Sequence, residues 1–192
     1  MISGKMFNSY ANRGMHLEDD INITNKYYLD NNIAVIHKKP TPIKVSKVSY
    51  PNTHSVVIKE AFYEMPSTTD YNGIYKGKYI DFDVKEVKSN KSFSLQNIHK
   101  HQIEHLKKIY EHGGISFIIV RFCINNTSYL LETKDLINFI ENEDRKSIPI
   151  EYFEMRGNKI KESYIPRIDY IKVIDKLYFN CEVSYEKEIK KN

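Results

Sequence analysis

The sequence predicts an α/β fold, a central mixed β-sheet of about five strands with helices on its faces. Three observations carry this. Tyr79 to Glu86 alternates in character, placing Tyr79, Asp81, Asp83 and Lys85 on one face of a strand and Ile80, Phe82 and Val84 on the other. Ile115 to Ile124 is a strongly β-prone run. Apolar residues at helical spacing recur before, between and after these segments.

The elements follow in order. Leu17, Ile21 and Tyr28, with Met15 and Leu29 nearby, make 13–30 a helix, with Glu18, Asp19 and Asp20 in its early turns. Asp30-Asn31-Asn32 ends it, and Ile33 to Ile36 is a short strand. Pro40 and Pro42 argue against a central strand there, because proline cannot donate to a ladder. Ile43, Val45 and Val48 form an outgoing arm, Tyr50-Pro51-Asn52-Thr53 a turn, and Val56 to Tyr63 the returning arm. The stretch 39–66 thus reads as a long, stalk-like hairpin inserted ahead of the strand pair that carries the acids.

Asp70 precedes Asn72-Gly73, which reads as a turn. Ser94 or Asn97 caps a second helix running to about Glu111, with Ile98, Gln102, Leu106 and Ile109 on its apolar stripe. A glutamine there is ordinarily a hydrogen-bonded core residue. Gly113-Gly114 ends that helix. After the run 115–124, Asn125 to Ser128 turns and Tyr129 to Glu132 pairs back. Thr133 caps a helix to about Glu141, Arg145 to Arg156 is irregular, and Ile168 to Phe179 closes the chain as a helix. Residues 1–9 and the charged tail 181–192 are expected to be loose, the whole chain 1–192 forming one domain.

Composition sets outer bounds. The 192 residues suffice to bury a sizeable core, and 41% hydrophobic with 28% charged is ordinary for a globular protein. No apolar run approaches the ~20 residues that span a bilayer, so no membrane association is expected. Met1 to Tyr10 lacks the apolar core of a signal peptide. Cys123 and Cys181 lack metal-ligand spacing; Cys123 reads as a small buried hydrophobe, and two unpaired thiols suit a reducing cytoplasm. The net charge of +4 is uninformative, but its distribution is not. From His37 to Lys59 there is no acid, while Lys38, Lys39, Lys44, Lys47 and Lys59 are basic. Such a field suits a phosphate backbone, or else keeps a solvated hairpin from edge pairing.

The chemistry-bearing residues are Asp70, Asp83 and Lys85. Two acids with a lysine two residues after the second is the Asp…(Asp/Glu)-x-Lys layout of metal-dependent nucleases. The acids can hold a hard cation, and the lysine can stabilise negative charge in the transition state. The pattern also arises by chance in charged chains, where Asp83-Val84-Lys85 would be a solvated strand face. Asp81 shares that face and is an alternative acid. Glu18 and Glu60 are weaker candidates. His99, His101 and His105 invite a zinc reading, but His101 and His105, which share a helix face, have no Cys or third clearly placed ligand beside them, and phosphate contact or surface exposure is the expectation. Gly73 and Gly77 do not form a nucleotide-binding loop.

Seven ordered motifs carry a resemblance. They are Asn12-Arg13-Gly14-Met15, Lys38-Lys39-Pro40-Thr41-Pro42-Ile43, Ser67-Thr68-Thr69-Asp70-Tyr71-Asn72-Gly73, Tyr79-Ile80-Asp81-Phe82, His99-Lys100-His101-Gln102, Arg145-Lys146-Ser147-Ile148-Pro149 and Pro166-Arg167-Ile168-Asp169-Tyr170. Together, over about Tyr10 to Asn180, they resemble the RecU family of Holliday junction resolvases. The resemblance implies a restriction-endonuclease-like fold and magnesium-dependent nicking of four-way DNA junctions in recombination and repair, leaving 5′-phosphate ends. It implies a homodimer, a RecA-type recombinase as partner, and a magnesium site of Thr68, Asp70, Asp83 and Gln102, with Lys85 as the stabilising cation. Asp83 stands where the family more usually has Glu, one methylene longer. Lys38, Lys39, Lys44 and Lys47 are then expected along the DNA, with Phe62 and Tyr63 able to stack on exposed bases. Two alternatives stand beside this: a sequence-specific restriction-type endonuclease, and a non-catalytic nucleic-acid-binding module.

Overall fold

A computed structural model describes residues 17–52, 55–63 and 68–179. The expected loose ends and the Asn12-Arg13-Gly14-Met15 motif fall outside the described residues. Helix α1 (Leu17–Asp30) opens with Glu18, Asp19 and Asp20, acids that complement the positive end of its dipole. It buries Leu17, Ile21 and Tyr28. The strands then follow as β1 (Val35–Lys38), β2 (Ile43–Asn52), β3 (Ser55–Tyr63), β4 (Tyr71–Tyr75), β5 (Lys78–Val87) and β6 (Ser92–Ser94). After α2 (Lys100–Glu111) come β7 (Ile115–Phe122), β8 (Thr127–Glu132), α3 (Thr133–Asn142), β9 (Ser147–Pro149), α4 (Ile150–Arg156), β10 (Asn158–Lys159) and α5 (Tyr170–Ile174).

The main sheet has six strands in the order β1-β4-β5-β7-β8-β10. β5 and β7 run parallel, and the other neighbours are antiparallel. The mixed α/β class read from the sequence is therefore the architecture observed. β7 is buried at every position, as a strand covered on both faces must be. One apolar layer joins Ile80, Phe82 and Val84 to α1 and α5 through Ile21, Tyr28, Tyr170 and Ile174. Phe82 stacks between Tyr71 and Phe117, with ring centroids 5.0 and 4.8 Å away. The opposite layer packs Ile118, Val120 and Phe122 against Leu106 of α2, Leu136 and Phe139 of α3, and Phe153 of α4. An ion cluster ties the first layer together: Arg121 Nη1 lies 2.7 Å from Asp20 and 3.7 Å from Glu86, and its Nη2 3.5 Å from Glu162. Among the described residues no helix is long and apolar enough to cross a membrane.

Among the described residues β2 and β3 pair only with each other, as a sheet separate from the main one. Their described residues are exposed or partly exposed throughout, and they are the two paired arms, 43–52 and 55–63, of the stalk-like hairpin expected over 39–66. Strand β2 continues through Pro51 to Asn52, which pairs with Ser55, so the arm is longer than the proline suggested.

Several local expectations are corrected. Asn72-Gly73 lies inside β4; the turn is at Lys76-Gly77, where φ is 46° and 75°. Two successive left-handed residues make the two-residue turn that matches strand twist, and Lys-Gly can adopt it. Gly73 is instead a close approach, since a Cβ there would sit 2.1 Å from the Val35 carbonyl oxygen. Helix α2 starts after His99, because Leu95–Asn97 forms a separate 3-10 turn capped by Ser94. Thr133 is the first residue of α3, with Glu132 at the cap. The stretch 145–156 holds β9 and α4 rather than irregular chain. The closing helix begins at Tyr170 and widens to a π-helix over Asp175–Phe179. Cys123 is exposed just past β7, because the strand ends at Phe122 and the chain turns to solvent.

Gly73→Ala is expected to lower stability by about 1–3 kcal/mol, the usual cost of overpacking, by forcing β1 away from β4. Denaturant unfolding checks it; a variant as stable as the parent would show that β1 moves freely.

Candidate active site

The site is built on the polar face of β5. Asp81 and Asp83 are both fully buried, so this face is not the solvated one that alternation alone allows. α2 closes over it, bringing Gln102, which is 5% exposed, onto Asp83. Gln102 Nε2 donates to Asp83 Oδ1 at 2.8 Å, and its Oε1 accepts the His99 N–H at 3.0 Å. One side chain thus ties the start of α2 to the acid, which explains a glutamine on an apolar stripe. Lys85 Nζ approaches Asp83 Oδ2 at 2.6 Å and Asp70 Oδ2 at 3.8 Å. Asp70, 28% exposed at its side chain, also takes the Val84 N–H at 3.3 Å on Oδ2. Asp70, Asp83 and Lys85, separated by up to fifteen positions, are therefore neighbours in space, with Gln102 behind them. Thr68 is half-buried at the head of the same segment.

The electrostatics favour a cation. Burial pushes the Asp83 carboxyl up to about 7; Asp70 adds to the rise and Lys85 opposes it. Asp83 Oδ2 is buried and faces the Lys85 ammonium 2.6 Å away. A buried acid with a raised carboxyl, beside a second carboxylate, offers the oxygen ligands that a hard divalent cation takes. No cluster of three His, Cys, Asp or Glu able to hold a metal occurs among the described residues. His99 and His101 stack on each other, centroids 5.4 Å apart, while His105 turns to Asp81 at 3.2 Å.

The structure separates the basic residues. Lys38 is ion-paired with Glu18 on the surface. Lys39 is drawn inward, its ammonium 2.8 Å from Asp81. Lys44 and Lys47 are exposed on β2, Lys47 lying 3.9 Å from Glu60. Phe62 and Tyr63 are exposed by 63% and 83% near the hairpin's root. An open cleft of about 380 Å³ lined by Leu17, Glu18, Asp19, Val84, Lys85 and Glu86 brings the start of α1 beside Lys85. Asp81's network was not legible as part of the site; only its place on the Asp83 face pointed to it.

An acid pair with a lysine two residues beyond the second acid, set on an inner strand of a mixed sheet, defines a class: the Asp…(Asp/Glu)-x-Lys nucleases. Comparison with known proteins narrows the class. The family model described as "RecU: Recombination protein U" matches residues 12–176. The Holliday junction resolvase RecU of Bacillus cereus (strain B4264) is 52% identical over 175 residues, covering 90% of this chain and 88% of that protein. The Holliday junction resolvases RecU of Bacillus cytotoxicus and Bacillus anthracis (strain CDC 684 / NRRL 3495) are each 51% identical over the same shares. The chain belongs to the RecU family.

The raised Asp83 value has a consequence for stability. A carboxyl whose folded-state value exceeds its unfolded one stabilises fully below about 4, and that contribution is lost as pH rises through about 7. Asp83→Asn stays neutral and should escape the loss. Without divalent cations at about pH 8, its melting temperature should equal or exceed that of the parent. A drop of several degrees would mean that the Asp83–Lys85 pair holds the fold.

Proposed function

We propose that this protein is a Holliday junction resolvase, a metal-dependent endonuclease that makes paired, symmetric nicks in four-way DNA junctions. The observation that carries the reading is the convergence of Asp70, Asp83 and Lys85 around a buried carboxylate in a RecU-family chain. Asp70 and Asp83 hold the cation, magnesium by its preference for oxygen ligands, with Thr68 and Gln102 completing the site directly or through water. Gln102 reaches Asp83 through its amide nitrogen, so its first task is to fix that acid's rotamer. When bound, the cation neutralises the phosphate and activates water for attack. Lys85 is the fixed cation that stabilises charge developing on the phosphate and orients the nucleophile. The products carry a 5′-phosphate and a 3′-hydroxyl.

A junction has two equivalent strands to cut, so two sites related by a two-fold axis are required; a homodimer supplies them. The hairpin's exposed lysines and its aromatic root suit the open centre of a junction, with sequence-independent, salt-sensitive contacts to phosphates. A RecA-type recombinase is a further partner expected of this reading, in the cytoplasm where recombination proceeds. The deciding experiment incubates the protein with labelled four-way junction and with linear duplex, with and without magnesium. Paired nicks in the junction alone support resolution. Equal cutting of duplex would favour a restriction-type endonuclease, and binding without cleavage a non-catalytic module.

Asp70→Asn and Asp83→Asn should abolish cleavage while leaving junction binding in EDTA intact, since the acids hold metal rather than DNA. Joint loss of both would show that they support the fold. Lys85→Ala should slow single-turnover cleavage by about 10²-fold or more, the cost of a lost transition-state donor; a rate near that of the parent would remove Lys85 from the mechanism. Replacing Asn52–Val57 and the flanking arms with a short Gly-Ser turn should leave a dimer that binds duplex weakly and no longer prefers junctions. Competition with unlabelled duplex measures this, and full retained preference would move junction reading elsewhere.

A further inference from the structure

Two residues before Asp83, on the same face of β5, Asp81 is a second fully buried carboxylate. Its Oδ2 accepts from Lys39 Nζ at 2.8 Å and Tyr79 Oη at 2.9 Å, with His105 Nε2 at 3.2 Å. Its Oδ1 takes the Thr69 hydroxyl. Asp81 thus takes four side-chain partners from the protein, where Asp83 meets Gln102 and Lys85.

What matters is where the donors come from. Thr69 lies between Thr68 and Asp70. His105 is one turn along α2 from Gln102. Lys39 is the last residue before Pro40 and the root of the hairpin, and it is bonded three ways to the same place. Its Nζ also meets Thr69 Oγ1 at 2.9 Å, and its backbone N–H donates to the Asp70 carbonyl at 2.7 Å. Pro40 and Pro42 follow directly, and their fixed φ angles make the departure of the hairpin stiff. A buried acid and a mostly buried lysine are costly to strip of water, so the pair persists only in one arrangement with its hydrogen bonds complete.

We infer that Asp81 is a positioning residue, one that locks the Thr68–Asp70 segment and the Gln102 helix in the register that shapes the cation site. This rests on the metal-nuclease reading above. Asp81 touches neither substrate nor cation; it acts through Lys39, Thr69 and His105. The arrangement also makes Lys39 a structural cation rather than a phosphate contact, unlike Lys44 and Lys47.

The test uses full-length protein with three variants. Asp81→Asn keeps the shape and removes the charge, Lys39→Met removes the ammonium, and the third combines both. Manganese binding to the free protein is measured by calorimetry, junction binding in EDTA by gel shift, and cleavage against magnesium concentration. Each single variant should weaken manganese binding by about tenfold or more, as when groups that orient metal ligands are lost. The double variant should be no weaker than the worse single one, because both changes break one link. Junction affinity in EDTA should stay within about twofold of the parent, the spread of independent sites. A purely structural role would lower junction affinity along with metal affinity and overturn the proposal. So would either single variant binding manganese like the parent, or Lys39→Met losing junction affinity with metal binding intact, which would return Lys39 to the DNA. A parent that binds no manganese and cuts no junction would overturn the metal-site reading itself, and this inference with it.

Discussion

Two carboxylates buried side by side on one strand face set the terms for the rest of the molecule. Ionised acids cannot be taken out of water without compensation. Asp81 receives it from a lysine, a threonine, a tyrosine and a histidine drawn from four places in the chain. Asp83 receives only Gln102 and an ion-paired lysine, and its carboxyl stays raised by burial. The difference divides the face by role. On the proposed reading, the first acid fixes positions and the second holds the cation.

That polar face survives inside the fold because the opposite face of β5 is strongly apolar. Ile80, Phe82 and Val84 sit in an aromatic layer with Tyr71, Phe117 and Tyr170, and the parallel neighbour β7 is buried throughout. The strand is thereby held on one side by non-directional packing, and the directional contacts are confined to the other. Arg121 performs a related service for α1. By gathering Asp20, Glu86 and Glu162, it holds the start of that helix beside the cleft at Lys85.

The hairpin obeys a different economy. β2 and β3 leave Ile43, Val45, Val48, Val56, Val57 and Ile58 substantially exposed, with no layer of the fold over them. A two-stranded ribbon is marginal by itself in water. Its root is held by the backbone, where the Lys39 N–H donates to the Asp70 carbonyl just ahead of Pro40 and Pro42.

Much of this was legible in the chain. The period of two over Tyr79–Glu86, the helical stripe through Ile98 and Leu106, and the prolines before the hairpin are local patterns, and local patterns determine elements. The acid and acid-x-Lys spacing likewise named Asp70, Asp83 and Lys85, since two of the three lie on one strand. Local signals failed where they depend on what lies opposite. Asn72-Gly73 has turn chemistry, but β1 packs against it and makes it strand; Cys123 continues an apolar run, but the strand ends one residue earlier. Sequence determined that β5 has a polar face and which groups stand on it. Tertiary structure alone decided that this face is buried, that Gln102 presents its nitrogen to Asp83, and that Lys39, Thr69 and His105 converge on Asp81. The physical reason is that burial and hydrogen-bond partnership are properties of residues distant in sequence and brought together by packing, and no periodicity within a segment encodes them.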